Sequence, residues 1–136
     1  QTTANLPVRG VKDLFAIEAA VRAEHYDFSR GMAGFGYRFS VRDGGVSYRE
    51  LRFNVCRQTL TLIDVTDGVE STLYCRDHFF FTSNDFHIFR IEAEPSCVSV
   101  WIDGSQYAVV DCPMIEGGVE FAMTDTRVSL YNLRVE

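Results

Sequence analysis

Lysine is almost absent from this sequence. Thirteen of its 136 residues are basic, and Lys12 is the one lysine among them. Two readings are open: codon usage in a GC-rich genome, or a use for arginine itself. The guanidinium fork grips carboxylates and sulfates bidentately, where an ammonium is a point charge. Long apolar runs are missing too. Val100-Trp101-Ile102 and Phe79-Phe80-Phe81 are typical of the longest. A membrane-spanning helix needs roughly 20 apolar residues, so no span is expected. Net positive charge is lacking: the formal charge is −6. Phosphate backbones are held by a basic footprint, so no nucleic-acid partner is expected. The chain has no Cys-x-x-Cys, no histidine next to a cysteine and no Asn-x-Ser/Thr acceptor. Zinc is therefore not expected.

What is present describes a folded domain. Apolar residues make up 46% of the chain, enough for a globular core. The length suits one domain over residues 1–136, with 1–14 as an N-terminal extension or first edge segment. Gln1-Thr2-Thr3-Ala4 fits a trimmed end or a domain cut from a longer chain. The four cysteines, Cys56, Cys75, Cys97 and Cys112, are an even count in a small domain. That favours an oxidising compartment, so an extracellular or cell-surface location is expected.

Turn signals cut the chain into short pieces: Asp43-Gly44-Gly45, Asp67-Gly68, Asp103-Gly104 and Gly117-Gly118. Asp-Gly accepts positive φ cheaply and marks hairpins. Between the turns apolar residues alternate. Phe35, Tyr37, Phe39 and Val41 share one face, against Arg38, Ser40 and Arg42. Leu51, Phe53 and Val55 alternate with Glu50, Arg52 and Asn54; Phe89, Ile91 and Ala93 with Arg90, Glu92 and Glu94. Val98, Val100 and Ile102 repeat the pattern, as do Val119, Phe121 and Met123. Period-two alternation predicts half-buried strands, and short strands between turns predict an all-β sandwich. Residues 14–24 are ambiguous: Leu14, Ile17 and Val21 fit a helix, while Phe15, Ile17, Ala19 and Val21 fit a strand.

The order of motifs resembles that of the concanavalin A-like lectins and glucanases. Gly34-Phe35-Gly36-Tyr37-Arg38-Phe39 is similar to their "G-F-x-F-R" strand. Val46-Ser47-Tyr48-Arg49-Glu50-Leu51-Arg52-Phe53 is similar to "Y-Y-x-F", and Asp85-Phe86-His87-Ile88-Phe89-Arg90-Ile91 to "x-W-H-x-F-R-I". Cys97 to Gly104 resembles the "I-x-V-Y-V-D-G" hairpin. Gly118 to Phe121 and Val128 to Val135 resemble the closing pair. The laminin-G-like and 3-keto-disaccharide-hydrolase-like branches are nearest, over roughly residues 15–135. The resemblance implies an antiparallel jelly-roll β-sandwich and makes residues 15–22 a strand. Tyr131 stands where the closing strand of relatives carries an Asp that supports calcium, and Phe86-His87 replaces their Trp-His pair.

Catalysis is not expected. Glucanases of this superfamily carry Glu-x-Asp-x-x-Glu on one strand, and glycoside hydrolysis needs two flanking carboxyls. The nearest pair here is Glu92 and Glu94, which reads more simply as a solvated face. His25, His78 and His87 have no supporting pattern, and His87 reads as a structural hydrogen-bonder. A saccharide platform is the leading expectation. Val100 and Ile102 face the core, so Trp101 faces outward, either as a stacking surface or beneath a loop. Arg38, Arg42, Arg52 and Asn54 face outward from consecutive strands with Tyr48 beside them. They form either a grip for an acidic glycan or an ordinary Arg–Glu face.

Cys97 and Cys112 flank one hairpin symmetrically. A four-residue loop sets them opposite each other, and a two-residue Asp-Gly turn shifts the register. Cys97–Cys112 and Cys56–Cys75 are the expected disulfides, against the alternative of four packed thiols. Asp43, Asp64, Asp67, Asp103 and Asp125 lie at turns, where aspartates usually cap backbone. A calcium loop near Asp64 and Asp67 is the competing reading.

The sequence thus predicts an extracellular, non-catalytic carbohydrate-binding or adhesion domain with a glycan or glycoprotein partner and no cofactor. The alternatives are a structural subunit that self-associates through strand edges or Phe79-Phe80-Phe81, and a glycoside hydrolase-like enzyme.

Overall fold

The computed structural model describes residues 2–5, 15–24, 27–77, 85–113 and 115–135. His25, His78 and Phe79-Phe80-Phe81 lie outside the described residues. The strands are β1 (Thr2–Asn5), β2 (Phe15–Glu24), β3 (Gly34–Arg42), β4 (Ser47–Asn54), β5 (Thr59–Thr66) and β6 (Val69–Arg76). They continue with β7 (His87–Ala93), β8 (Cys97–Ile102), β9 (Ser105–Asp111), β10 (Gly118–Thr124) and β11 (Arg127–Val135). Among the described residues, one sheet has six strands in the order β1-β10-β3-β4-β5-β6 and the other five in the order β11-β2-β7-β8-β9. Every pairing is antiparallel.

The ambiguous segment is β2, paired between β11 and β7. Its Ala-rich stretch has helical propensity, but alternate residues Ile17, Ala19, Val21 and Ala23 are all buried. Burial of one face outweighs a weak local preference.

The inner faces of both sheets meet in one core. Phe89 of β7 sits against two rings of the six-stranded sheet: Phe35 at 5.2 Å and Phe53 at 5.0 Å, both edge-on. Phe35 stacks on Phe53 at 5.2 Å and on Phe121 at 5.8 Å. Such pairs contribute about 0.5–1.5 kcal/mol each beyond area burial. Tyr37 packs edge-on to Phe121 at 5.2 Å. Its hydroxyl is buried and has no hydrogen-bond partner among the described residues. Burial alone pushes this phenol's pKa well up. An unmade hydrogen bond costs desolvation with no return. Tyr37→Phe is therefore expected to stabilise the domain by roughly 1 kcal/mol. Urea unfolding checks this, as a higher midpoint at unchanged slope.

Turns follow their residues. Asp67-Gly68 has φ of 51° and 80°, and Asp103-Gly104 has 51° and 83°. Positive φ at both central positions is the I′ geometry that matches strand twist. Asp103 also accepts the Ile88 N–H (2.8 Å) and contacts His87 Nδ1 (2.8 Å), so His87 is tied to the hairpin. The alternation of β3 breaks at Ser40, a non-glycine residue at φ 54°, where the pairing with β4 shifts register. Val41 thereby leaves the buried set that Phe35, Tyr37 and Phe39 share.

The expected disulfides are not formed; all four cysteines are free thiols. In the β8–β9 hairpin an extra residue, Tyr107, bulges between the Val100–Ala108 and Trp101–Gln106 pairs. This sets Cys97 opposite Asp111, one residue short of Cys112. Neighbouring residues on a strand point to opposite faces. Cys112 is accordingly fully buried in the core, while Cys97 faces outward. Cys56 turns toward the core from the β4–β5 turn, and Cys75 is exposed on β6, with β5 lying between β4 and β6. Cys56 packs against the core while Cys75 lines the outer face, so the sheet stands between the two thiols.

Candidate functional site

The outer face of the six-stranded sheet carries a buried charge ladder. Glu50 of β4 is 1% exposed. Its Oε1 accepts Arg38 Nε at 2.6 Å and its Oε2 accepts Arg52 Nε at 2.6 Å. Arg52 Nη2 reaches Glu70 of β6 at 3.0 Å, and Arg38 Nη1 lies 4.0 Å from Glu120 of β10. The Arg38 guanidinium also covers the Tyr48 ring at 4.2 Å. Burial works against the charge on Arg52, but Glu50 and Glu70 outweigh it and raise its pKa.

Glycine makes room for this ladder. A Cβ on Gly36 would stand 2.8 Å from Glu50 Cγ, and one on Gly34 would stand 2.0 Å from the Phe53 carbonyl oxygen. The bare Gly36 lets Glu50 lie against β3, the bare Gly34 lets the β4 backbone approach, and an open cleft lies above them. The cleft has a volume of about 680 Å³. Gly34, Gly36 and Ala122 form one side, and Thr59, Thr61 and Thr72 supply hydroxyl groups on the other. Arg52, Glu70, Asn54 and Arg57 line it as well. A bulge at Leu73 in β6 turns Cys75 into the same face.

One end of the cleft is clamped. Asn54 Nδ2 donates to the Gly31 carbonyl (3.0 Å), and Asn54 Oδ1 accepts the Arg57 N–H (2.9 Å). Val55 N–H bonds the Ala33 carbonyl at 2.9 Å. Arg30 binds Asp125 through Nε at 3.0 Å and Nη2 at 2.6 Å, and this pairing raises its pKa. The 27–34 loop and the 55–58 turn are thereby held together.

The residues expected to bind glycan are divided by this geometry. Arg52 and Asn54 line the cleft; Arg38 and Tyr48 lie outside its lining, with Arg38 a buried member of the ladder. Arg42 bonds the Ser40 carbonyl at 2.9 Å. Trp101 belongs to the other sheet, opposite Arg90. There it lines a depression of about 200 Å³ with Glu18, Arg90 and Glu92, and its indole N–H has no partner among the described residues. Trp101 and the arginines of β3 and β4 therefore face opposite sides of the sandwich. Glycine at 34 and 36, threonine on β5 and β6, and Arg57 are among the cleft residues that the sequence alone did not mark as binding. The alternation Gly-x-Gly on the outward side of β3 was a legible signal of a shallow floor.

The other candidates are occupied. Glu92 accepts Arg90 Nε at 2.8 Å, while Glu94 lies beyond the end of β7 beside Cys97. Asp64 accepts Arg49 Nε at 3.1 Å and the Thr66 hydroxyl at 2.8 Å. Burial tends to raise its carboxyl pKa, but these two donors outweigh it and hold the pKa below the usual value. Arg49 also donates to the Pro113 carbonyl and to Cys112 Sγ (3.3 Å), which ties β4 to the end of β9. Burial pushes the Cys112 thiol pKa up. Among the described residues, no three His, Cys, Asp or Glu side chains gather as a metal site.

No protein family model and no curated protein matches the sequence. Solved structures do match its fold. A carbohydrate-binding module, CBM66 from Bacillus subtilis, superposes with TM-score 0.71 at 12% identity, over 99% of this chain and 77% of that one. The Caenorhabditis elegans galectin LEC-6 gives 0.71 at 14% identity, over 100% and 91%. A human galectin-16 variant gives 0.75 at 11%, over 99% and 94%. With its two antiparallel sheets, the chain has the concanavalin A-like jelly-roll β-sandwich fold.

Proposed function

We propose that this chain is a non-catalytic saccharide-binding domain and that it binds in the cleft on the outer face of the six-stranded sheet. The observation that carries this reading is the cleft itself. It has a flat floor of glycines and a wall of hydroxyl, amide and guanidinium groups, which suits a polyhydroxylated chain lying along a sheet. The likeness to a carbohydrate-binding module and to galectins supports it. Hydrolysis has no support in the cleft. Both oxygens of Glu50 are taken by arginine N–H groups, and Glu70 is paired to Arg52. A glycosidase needs an acid and a second carboxylate free to act on the bond.

A glycan array followed by calorimetry tests the proposal. Thr61→Phe fills the cleft from an outward position and is expected to weaken binding at least ~10-fold, a loss of about 1.4 kcal/mol. Trp101→Ala, on the opposite sheet, is expected to leave affinity unchanged. The reading fails if no saccharide binds, or if Thr61→Phe binds as well as the parent while Trp101→Ala does not.

A further inference from the structure

We infer that the clamped end of the cleft is an anion subsite, in which Arg57 holds a carboxylate or sulfate substituent of an acidic saccharide. The inference rests on the saccharide-binding reading and gives it a chemical class.

The pairing of cations around the cleft is the starting point. Arg30 is bound bidentately to Asp125. Arg38 and Arg52 share Glu50, and Arg52 also takes Glu70. Arg57 differs: it is exposed, and no carboxylate among the described residues pairs with it. This chain carries 19 acidic residues against 13 basic ones, so an arginine without a carboxylate in a cleft runs against its composition.

The group is also held in place. The Arg57 N–H is fixed by Asn54, whose amide fixes Gly31 in turn. The guanidinium lies over Gly31, with Nη2 at 3.4 Å from where a Cβ would stand. Gly31 has φ of 65°, a conformation that side-chain-bearing residues rarely adopt, so the shelf under the guanidinium stays bare. A planar fork resting on backbone loses less freedom on binding than a solvated arginine, and bidentate contact with a planar or tetrahedral oxyanion follows. The threonine hydroxyls of β5 and β6 begin beside this end and continue away from it. A ligand that satisfies both has hydroxyl groups along its length and one acidic group at its end.

The test uses three probes that share one backbone: a neutral trisaccharide, the same trisaccharide with one sulfate ester, and the same with one uronate carboxylate. Titration calorimetry at low and high salt measures each against the parent and against Arg57→Gln. The parent is expected to bind at least one acidic form about tenfold more tightly than the neutral one. Arg57→Gln is expected to abolish that preference and flatten the salt dependence. Comparing the two acidic arms tells sulfate from carboxylate. Equal affinity for all three probes, or a preference that survives Arg57→Gln, overturns the anion subsite while leaving the saccharide reading intact. Binding of none of the three removes both.

Discussion

Glu50→Ala is expected to destabilise the domain by about 3–5 kcal/mol, because it leaves a buried charge without its partner. Glu50 is 1% exposed, and the Arg38 side chain that it pairs with is 9% exposed. Removing the carboxylate strands the Arg38 guanidinium over the Tyr48 ring, with the longer Glu120 contact at 4.0 Å as its remaining partner. Arg52, at 33% exposure, keeps Glu70 and reaches water, so it adds little to the loss. For a domain of this size the midpoint of thermal unfolding should fall by roughly 10–15 °C. Removing both charges with apolar groups of similar volume, Arg38→Met with Glu50→Leu, should recover most of the loss, since neither charge is then left alone. A double variant as unstable as Glu50→Ala would mean that packing, not charge, governs the site. Differential scanning calorimetry of both variants separates the two.

Phe89→Ala is expected to cost about 3–5 kcal/mol by a different route. Its ring enters the six-stranded sheet's aromatic cluster from β7, edge-on to both Phe35 and Phe53. Truncation removes the transfer energy of a buried ring and leaves a void between two sheets that backbone hydrogen bonds hold rigid. Phe89→Leu refills part of that void and should recover more than half of the loss. Guanidinium denaturation measures both. An Ala variant within about 1 kcal/mol of the parent would show that the sheets close over the gap.

The core was legible in the sequence because alternation is a local property. Phe35, Tyr37 and Phe39, then Leu51 and Phe53, then Phe89 and Ile91 announced their face residue by residue. β6 announced nothing: it is an edge strand whose residues are nearly all exposed, so no apolar period marks it. Positive φ at Ser40 and the bulge at Tyr107 are single-residue events that composition does not encode. The second of them decided the cysteine geometry. The Arg–Glu pairing on β4 was visible as a pattern, but its burial was not. That depends on β10 lying beside β3, and β10 lies some eighty residues further along the chain. The same non-local choice placed Trp101 on the other sheet. Strand faces are written locally, and strand neighbours are not.

The arginine ladders also shape how this domain looks from afar. Arg22, Arg30, Arg38, Arg49, Arg52, Arg90 and Arg134 each stand within ion-pair distance of a carboxylate. Such pairs are dipoles, and their fields die away faster than that of a single charge. At low salt, where the Debye length reaches about 30 Å at 0.01 M, what remains at a distance is the net excess of acid. A polyanion drifting toward the domain meets repulsion first and meets guanidinium only on contact. Association with an acidic ligand should therefore be slow at low ionic strength and quicken as salt is added, opposite to an electrostatically steered encounter.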